Sequence, residues 1–137
     1  KSKGLLPLVS SMPKDNHSLM QLYLDGPKKS FYTFFDVLDN DPIKIKNNKI
    51  IDSHKYLRNK SIEIIKQSQM KATEKVFALK KIPFRSFRIS KRSEQSLGEL
   101  FCFFILETVL LGRALNVNPF DQPSVELIKI QTKKILI

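Results

Sequence analysis

Gln122, Glu126 and Lys129 place an amide, a carboxylate and an amine on one side of a predicted helix. Each helical residue turns the chain by about 100°, so positions seven apart point in nearly the same direction. Such a set can bind a polar ligand and handle a proton. The same spacing also fits a solvated polar stripe on a surface helix, so spacing by itself leaves both interpretations open.

The six residues at positions 118–123, Asn-Pro-Phe-Asp-Gln-Pro, include the first residue of this stripe and form a junction between two helices. Helical geometry is disfavoured before a proline, so the preceding helix must end near Asn118. Asp121 or Gln122 can cap the next helix, and Pro123 suits its first turn. Because few surface helices need such a junction, it favours a functional interpretation of the stripe.

The rest of the chain predicts the elements that must position these groups. Predicted helices cover residues 19–24, 54–80 and 94–117, with Asp15 or Asn16 as the predicted cap of the first and Ser93 as that of the third. A buried strand is predicted at 31–37 and a second strand at 84–89. Residues 40–48 are predicted to be a loop with an extended piece near 43–45. This alternation indicates an α/β fold with a mainly parallel sheet covered by helices. In the second helix, residues at alternating steps of three and four form the predicted buried stripe: Ile62, Ile65, Gln69, Ala72, Val76 and Leu79.

Composition narrows the function classes. Lysine and arginine outnumber acidic residues 24 to 13, for a formal charge of +11. Such a charge suits nucleic acid, an anionic membrane or an anionic metabolite. However, the lysines are scattered among isoleucines and asparagines, so a compositional bias explains them better than a nucleic-acid interface. We therefore expect no nucleic-acid partner.

Metal, disulfide and membrane functions are not indicated either. The single cysteine, Cys102, lies in an apolar run and is predicted to be a small buried hydrophobe. Two histidines and one cysteine without paired spacing predict no metal site, and we expect no cofactor. Glu99, Glu107 and Arg113 interrupt the most apolar segment, so no membrane span is expected. Since the chain begins at Lys1 and not at methionine, we expect it to be a piece of a longer protein.

Two motifs resemble those of glucose-6-phosphate isomerases. The first is Asp-Asn-His-Ser-Leu-Met-Gln-Leu-Tyr-Leu-Asp-Gly-Pro at 15–27, and the second is the junction at 118–123 followed by Lys129. Between them, Ser-Leu-Gly-Glu-Leu at 96–100 is similar to the family helix that precedes the junction. The resemblance implies a three-layer αβα sandwich of the sugar isomerase type. Residues 1–137 would be part of its second domain, with 118–137 as the C-terminal signature and helix.

The resemblance also implies roles for individual residues. His17 matches the family histidine that assists opening of the sugar ring, and Lys129 matches the lysine that works with it. Gln122 matches the glutamine at the phosphate end of the substrate, and Glu126 is expected to orient Lys129 or to cap structure. An imidazole suits ring opening because both of its protonation states are accessible near neutral pH. Without the motif, a histidine in a first helical turn is more often a surface or packing residue.

The implied activity is interconversion of glucose 6-phosphate and fructose 6-phosphate in the cytoplasm, a step of glycolysis and gluconeogenesis. The resemblance implies a homodimer in which His17 reaches the neighbouring active site. The family's base glutamate, its arginine and its phosphate-binding loop are upstream and have no match here, so this piece alone is expected to be inactive. Ser124 and the Leu127-Ile128 pair depart from the family pattern but preserve a helix. The alternatives are a non-catalytic sugar-phosphate-binding or regulatory module, and a basic nucleic-acid-binding domain.

Overall fold

The computed structural model describes residues 6–38, 43–46 and 50–137, which fall into two compact units. The first unit contains residues 6–96, and the second contains residues 97–137. Within these residues, six helices and strands follow in chain order: α1 (Met20–Asp25), β1 (Tyr32–Val37), α2 (Ile62–Leu79), β2 (Phe84–Ile89), α3 (Glu94–Ala114) and α4 (Pro123–Leu136). Two 3-10 turns, at Lys14–Asn16 and Asp52–Leu57, precede α1 and α2 respectively.

The two strands of the first unit are parallel neighbours. They pair from Tyr32 opposite Phe84 to Val37 opposite Ile89, and α2 forms the connection between them. A parallel pair needs such a crossover, which a tight hairpin cannot provide. The predicted α/β class and both predicted strands are therefore confirmed. In the predicted loop at 40–48, Lys44 bridges to Ser61, whereas residues 39–42 and 47–49 lie outside the described residues.

Phe77 of α2 forms the centre of the first unit's core. Its side chain is fully buried, and its ring centroid lies 5.0 Å from Tyr32, 5.1 Å from Phe34 and 6.1 Å from Phe84. These near-perpendicular rings use the edge-to-face geometry that aromatic pairs prefer. Ile82, just beyond α2, is also buried in this core, at 4% exposure. The sheet and α2 are thus joined mainly by aromatic packing.

The prediction of which face of α2 is buried is wrong. Val76 is 37% exposed and Leu79 is 73% exposed, although both belong to that stripe. The helix instead faces the sheet through Phe77, one position away, because this ring fills the space between the aromatic residues of both strands. Gln69, Ala72 and Val76 line an apolar groove beside Met20 and Leu24 of α1.

The strand predicted as buried at 31–37 is buried on one face only. Asp36, on the face that α2 covers, is 8% exposed, whereas Phe35 on the other face is 50% exposed. Phe35 stacks on Phe87 of β2 with centroids 5.4 Å apart and planes 10° from parallel. Successive strand residues point to opposite faces, so a helix on one side leaves alternate residues uncovered within this unit.

Serine side chains cap the starts of two helices. The hydroxyl oxygen of Ser61 accepts from the N–H of Ile64 at 3.2 Å, at the start of α2. Ser93 accepts from the N–H of Ser96 at 3.2 Å, at the start of α3. These bonds satisfy N–H groups that have no partner within a helix. The predicted cap at Ser93 is confirmed.

A residue in the left-handed conformation follows the end of α2, and another follows the end of α3. Lys81 has φ 55° and Asn116 has φ 54°. In each case the N–H of the following residue donates to a carbonyl five positions earlier, from Ile82 to Phe77 at 2.9 Å and from Val117 to Gly112 at 2.8 Å. This is the Schellman arrangement. It ends α3 at Ala114, three residues before the predicted boundary.

The second unit contains α3 from residue 97 onward, the junction at 118–123, and α4. A Cβ at Gly112 would lie 2.9 Å from Cβ of Pro119, so only glycine lets this proline approach α3 closely. An apolar groove of about 560 Å³ is lined by side chains of α3 and of the junction, namely Phe101, Phe104, Ile105, Thr108, Val109, Pro119 and Phe120. Cys102 is exposed, so its predicted burial is wrong: its side of α3 is uncovered. Within the described residues, no helix has the length and hydropathy of a membrane span.

Candidate functional site

The junction at 118–123 sets the start of α4. The side-chain oxygen of Asn118 accepts from the N–H of Phe120 at 3.0 Å, which closes a turn before the helix. Gln122 is the N-cap residue, and its carbonyl oxygen accepts from the N–H of Val125 at 3.0 Å. Pro123 is the first helical residue, where its missing N–H costs nothing. Of the two predicted cap residues, Gln122 occupies the N-cap position and Asp121 does not, but the Gln122 side chain makes no capping bond.

Glu126 and Lys129 are brought into contact on α4. The Nζ atom of Lys129 lies 2.5 Å from Oε1 of Glu126, one helical turn away. Both side chains are more than half exposed, so the ion pair contributes about 0–1 kcal/mol to stability. The pair mainly limits where the flexible Lys129 side chain can lie, because it holds the ammonium group beside Glu126. Gln122 lies at the start of the same helix, one turn before Glu126.

His17 lies in the first unit, between a 3-10 turn and α1. Its side chain is exposed, and it follows directly after Asn16. The predicted capping of α1 by Asp15 or Asn16 is wrong, because Leu19 occupies the N-cap position and provides no side-chain bond. The Asp15 carboxylate instead accepts from the N–H of Ser11 at 2.7 Å. Asp15 and Asn16 belong to the 3-10 turn that precedes α1, and not to its N-cap position.

Sequence reasoning missed a cavity beside this segment, whose lining combines apolar side chains with a few polar ones. The cavity measures about 500 Å³, and Asn16, Asp36, Lys66 and Arg92 contribute polar groups to its wall. Lys66 donates to the carbonyl oxygen of Val37 at 2.8 Å. The Oδ1 atom of Asn16 is buried without a hydrogen-bond partner in the described residues. The signal that could have indicated it is an aspartate near the carboxyl end of a strand.

The helix that follows His17 is held to the rest of the unit at its C-terminal end. Asp25 is the last residue of α1 and forms an ion pair with Lys80, the residue that caps α2. Gln21 also donates to Asp25, at 2.7 Å. The hydrogen bond from Lys80, and then its positive charge, lower the pKa of the Asp25 carboxyl below its ordinary value of 3.8. Asp25 therefore stays ionised to a lower pH than an aspartate without such a partner.

Other polar side chains of the first unit also have structural partners. His54 is exposed, and its Nδ1 lies 2.8 Å from the Ser53 hydroxyl. Arg88 pairs with Glu74 at 3.0 Å, and Arg85 donates to the Thr33 hydroxyl at 3.0 Å. In the part of the chain that the structure describes, no three His, Cys, Asp or Glu side chains converge as metal ligands would.

Comparisons with known proteins give this chain its relatives. It is 36% identical to the glucose-6-phosphate isomerase of Mycoplasmopsis pulmonis, over 99% of this chain and 33% of the relative. Its identity to the Methanocaldococcus jannaschii enzyme is 32%, over 90% of this chain and 30% of that one. Its identity to the Campylobacter jejuni enzyme is 31%, over 99% and 34% respectively. No protein-family model matches the chain.

A solved structure shows the same fold. A hypothetical protein of Thermus thermophilus superimposes with a TM-score of 0.76 at 27% identity, over 91% of this chain and 30% of that protein. The chain thus spans about a third of the length of the relatives that it matches. By sequence, the chain is a relative of the glucose-6-phosphate isomerases along nearly its whole length.

Proposed function

We propose that this chain supplies part of the active site of a glucose-6-phosphate isomerase. The observation that carries the proposal is the match of nearly the whole chain to such enzymes, together with the Glu126–Lys129 contact on α4. In the proposed protein, residues 1–137 form part of the second sugar isomerase domain, and 118–137 form its C-terminal signature and helix. The proposed setting is a cytoplasmic homodimer that acts in glycolysis and gluconeogenesis.

The first chemical step in this proposal is ring opening. The bond between C1 and the ring oxygen breaks, the ring oxygen gains a proton, and the C1 hydroxyl loses one to become the aldehyde. The step needs one acid and one base within hydrogen-bond reach of these oxygens. His17 is exposed and so is free to enter a site formed with a neighbouring subunit. Lys129 supplies a compact cationic donor at the ring oxygen and hydroxyls.

Glu126 and Gln122 have supporting roles in the proposal. Glu126 accepts the 2.5 Å hydrogen bond from Lys129 and thereby limits where its ammonium can lie. Gln122 contacts the phosphate end of the substrate with its side-chain amide. The Gln122 side chain makes no capping bond to α4, so the amide is not committed to holding the helix start.

The second step moves a proton from C2 to C1 through a cis-enediol. The base for this step is a glutamate of the upstream sequence in the proposal, and so are the arginine and the loop that binds phosphate. The chain alone is therefore expected to be inactive. We call the chain joined to its upstream sequence the restored protein, and the experiments below use it.

The test couples fructose 6-phosphate turnover by the restored protein to a glucose-6-phosphate dehydrogenase. His17→Ala and Lys129→Ala should each lower kcat by about 100-fold or more, the typical contribution of a positioned acid or base. The matched controls are His54→Ala and Lys133→Ala, which change an exposed residue of the same type. Controls should retain wild-type kcat. Normal turnover by His17→Ala and Lys129→Ala would contradict the site assignment, and sugar-phosphate binding without turnover by the wild type would favour the non-catalytic module.

A further inference from the structure

The segment that carries His17 depends on other elements for its position. The helix after it, α1, has six residues, and an isolated helix of this length is unstable in water. Backbone bonds from Leu19 to Asp15 at 2.9 Å and from Tyr23 to Leu19 at 3.0 Å continue the segment from the 3-10 turn into α1. The orientation of His17 is therefore set by whatever holds α1.

Tyr23 attaches the middle of α1 to the core. Its ring centroid lies 5.2 Å from Tyr32 of β1, which in turn packs edge-on against the fully buried Phe77. The Tyr23 hydroxyl also lies 2.5 Å from the hydroxyl of Ser10. Both contacts are made by the one residue, so they leave a short helix able to pivot about Tyr23.

The ion pair between Asp25 and Lys80 provides a second attachment, at the C-terminal end of α1. The backbone of Lys80 is held at the end of α2, because its N–H donates to the carbonyl oxygen of Val76 at 2.9 Å. The two side chains are 51% and 39% exposed, so the pair adds little to the free energy of unfolding. Two attachments in place of one nevertheless prevent the pivot, so the pair affects position more than stability.

We propose that Asp25 and Lys80 are positioning residues for His17, which act by fixing the C-terminal end of α1. The proposal rests on the proposed role of His17 in ring opening. When the pair is broken, α1 pivots about Tyr23 and the imidazole moves relative to the sugar. A displacement of about 1 Å of a catalytic group can cost up to about 100-fold in rate.

The test is a double-mutant cycle in the restored protein, with Asp25→Asn, Lys80→Met and the double variant. Each variant should lower kcat about 5- to 20-fold with little change in KM, which is less than full misplacement would cost. The double variant should be no worse than either single one, because the same contact is lost. Lys75→Met is the matched control, since Lys75 is an exposed lysine of α2, the helix that Lys80 caps. It should retain wild-type kcat.

A further measurement separates positioning from general damage. In a His17→Ala background, Asp25→Asn should cause no additional loss of kcat, and the urea midpoint at neutral pH should fall only slightly below that of the parent, because the exposed pair adds little to stability. Rates of exchange between the α and β anomers of glucose 6-phosphate, measured by NMR, should fall together with kcat because ring opening is affected. Unchanged kcat in Asp25→Asn, or a further loss in the His17→Ala background, would overturn the inference. If His17→Ala itself is fully active, the proposed function fails instead.

Discussion

Replacing Gly26 with alanine should displace the turn that follows α1, whereas the same replacement at Gly98 should be harmless. A Cβ at Gly26 would lie 2.3 Å from the carbonyl oxygen of Leu22 and 2.8 Å from its Cδ1 atom. The turn is this close because the N–H of Gly26 donates to that carbonyl at 2.8 Å. Rotating a side chain cannot relieve contact with a backbone oxygen, so the backbone must move.

The magnitude follows from these distances. Real Cβ atoms do not approach other heavy atoms more closely than 3.0 Å, so the 2.3 Å separation must grow by at least 0.7 Å. The hydrogen bond to Leu22 is then lost, at about 1 kcal/mol. Local repacking costs about 1–3 kcal/mol, and the reduced entropy of the unfolded chain offsets about 0.4–1 kcal/mol. Gly26→Ala should therefore lower the free energy of unfolding by about 2 kcal/mol.

Gly98 offers a matched control inside α3. A Cβ there would meet no other atom within 4 Å, so only the intrinsic helix preference changes. Gly98→Ala should raise the free energy of unfolding by about 0.5–1 kcal/mol. Urea denaturation of the restored protein, followed by circular dichroism, measures both changes. A Gly26→Ala midpoint at or above that of the wild type, or equal shifts for the two variants, would refute the reasoning.

Three further predictions concern stability. Phe77→Ala should lower the free energy of unfolding by about 3–5 kcal/mol because the ring is fully buried, while Val76→Ala should cost less than half as much; equal urea midpoints would contradict the assigned core. Lys81→Gly should raise it by about 1 kcal/mol, since glycine adopts φ 55° without penalty, and Lys81→Ala should give no gain in the same assay. Because the pKa of Asp25 is lowered in the folded state, the stabilisation by its pair with Lys80 should be complete above pH 3.8 and disappear as the pH falls through the lowered pKa; an Asp25→Asn effect on the urea midpoint that persists in acid would contradict this.

Features that depend only on residues close together in the sequence could be predicted. Pro123 and the residues before it predicted the start of α4, and the structure begins that helix at Pro123. The strand at 84–89 and the cap at Ser93 were predicted in the same way, from residue types within a few positions. The Glu126–Lys129 contact follows from helical periodicity within one element.

Burial was less predictable than secondary structure. The helical pattern of α2 is compatible with more than one apolar face. The face that carries Phe77 is buried because aromatic residues of both strands contact this ring. Cys102 lies in a run that is typical of a protein interior, yet it is exposed because burial requires a covering element. Periodicity describes a helix surface and does not say what lies against it.

The sequence by itself determined the α/β class, the family resemblance and the spacing of Gln122, Glu126 and Lys129 along α4, because these depend on residue type and local geometry. Only the tertiary structure decided which distant side chains meet. Lys80 is 55 residues from Asp25 in the chain, and no local rule connects them. Their contact depends on where the sheet and the end of α2 place α1, and the position of His17 depends on it in turn.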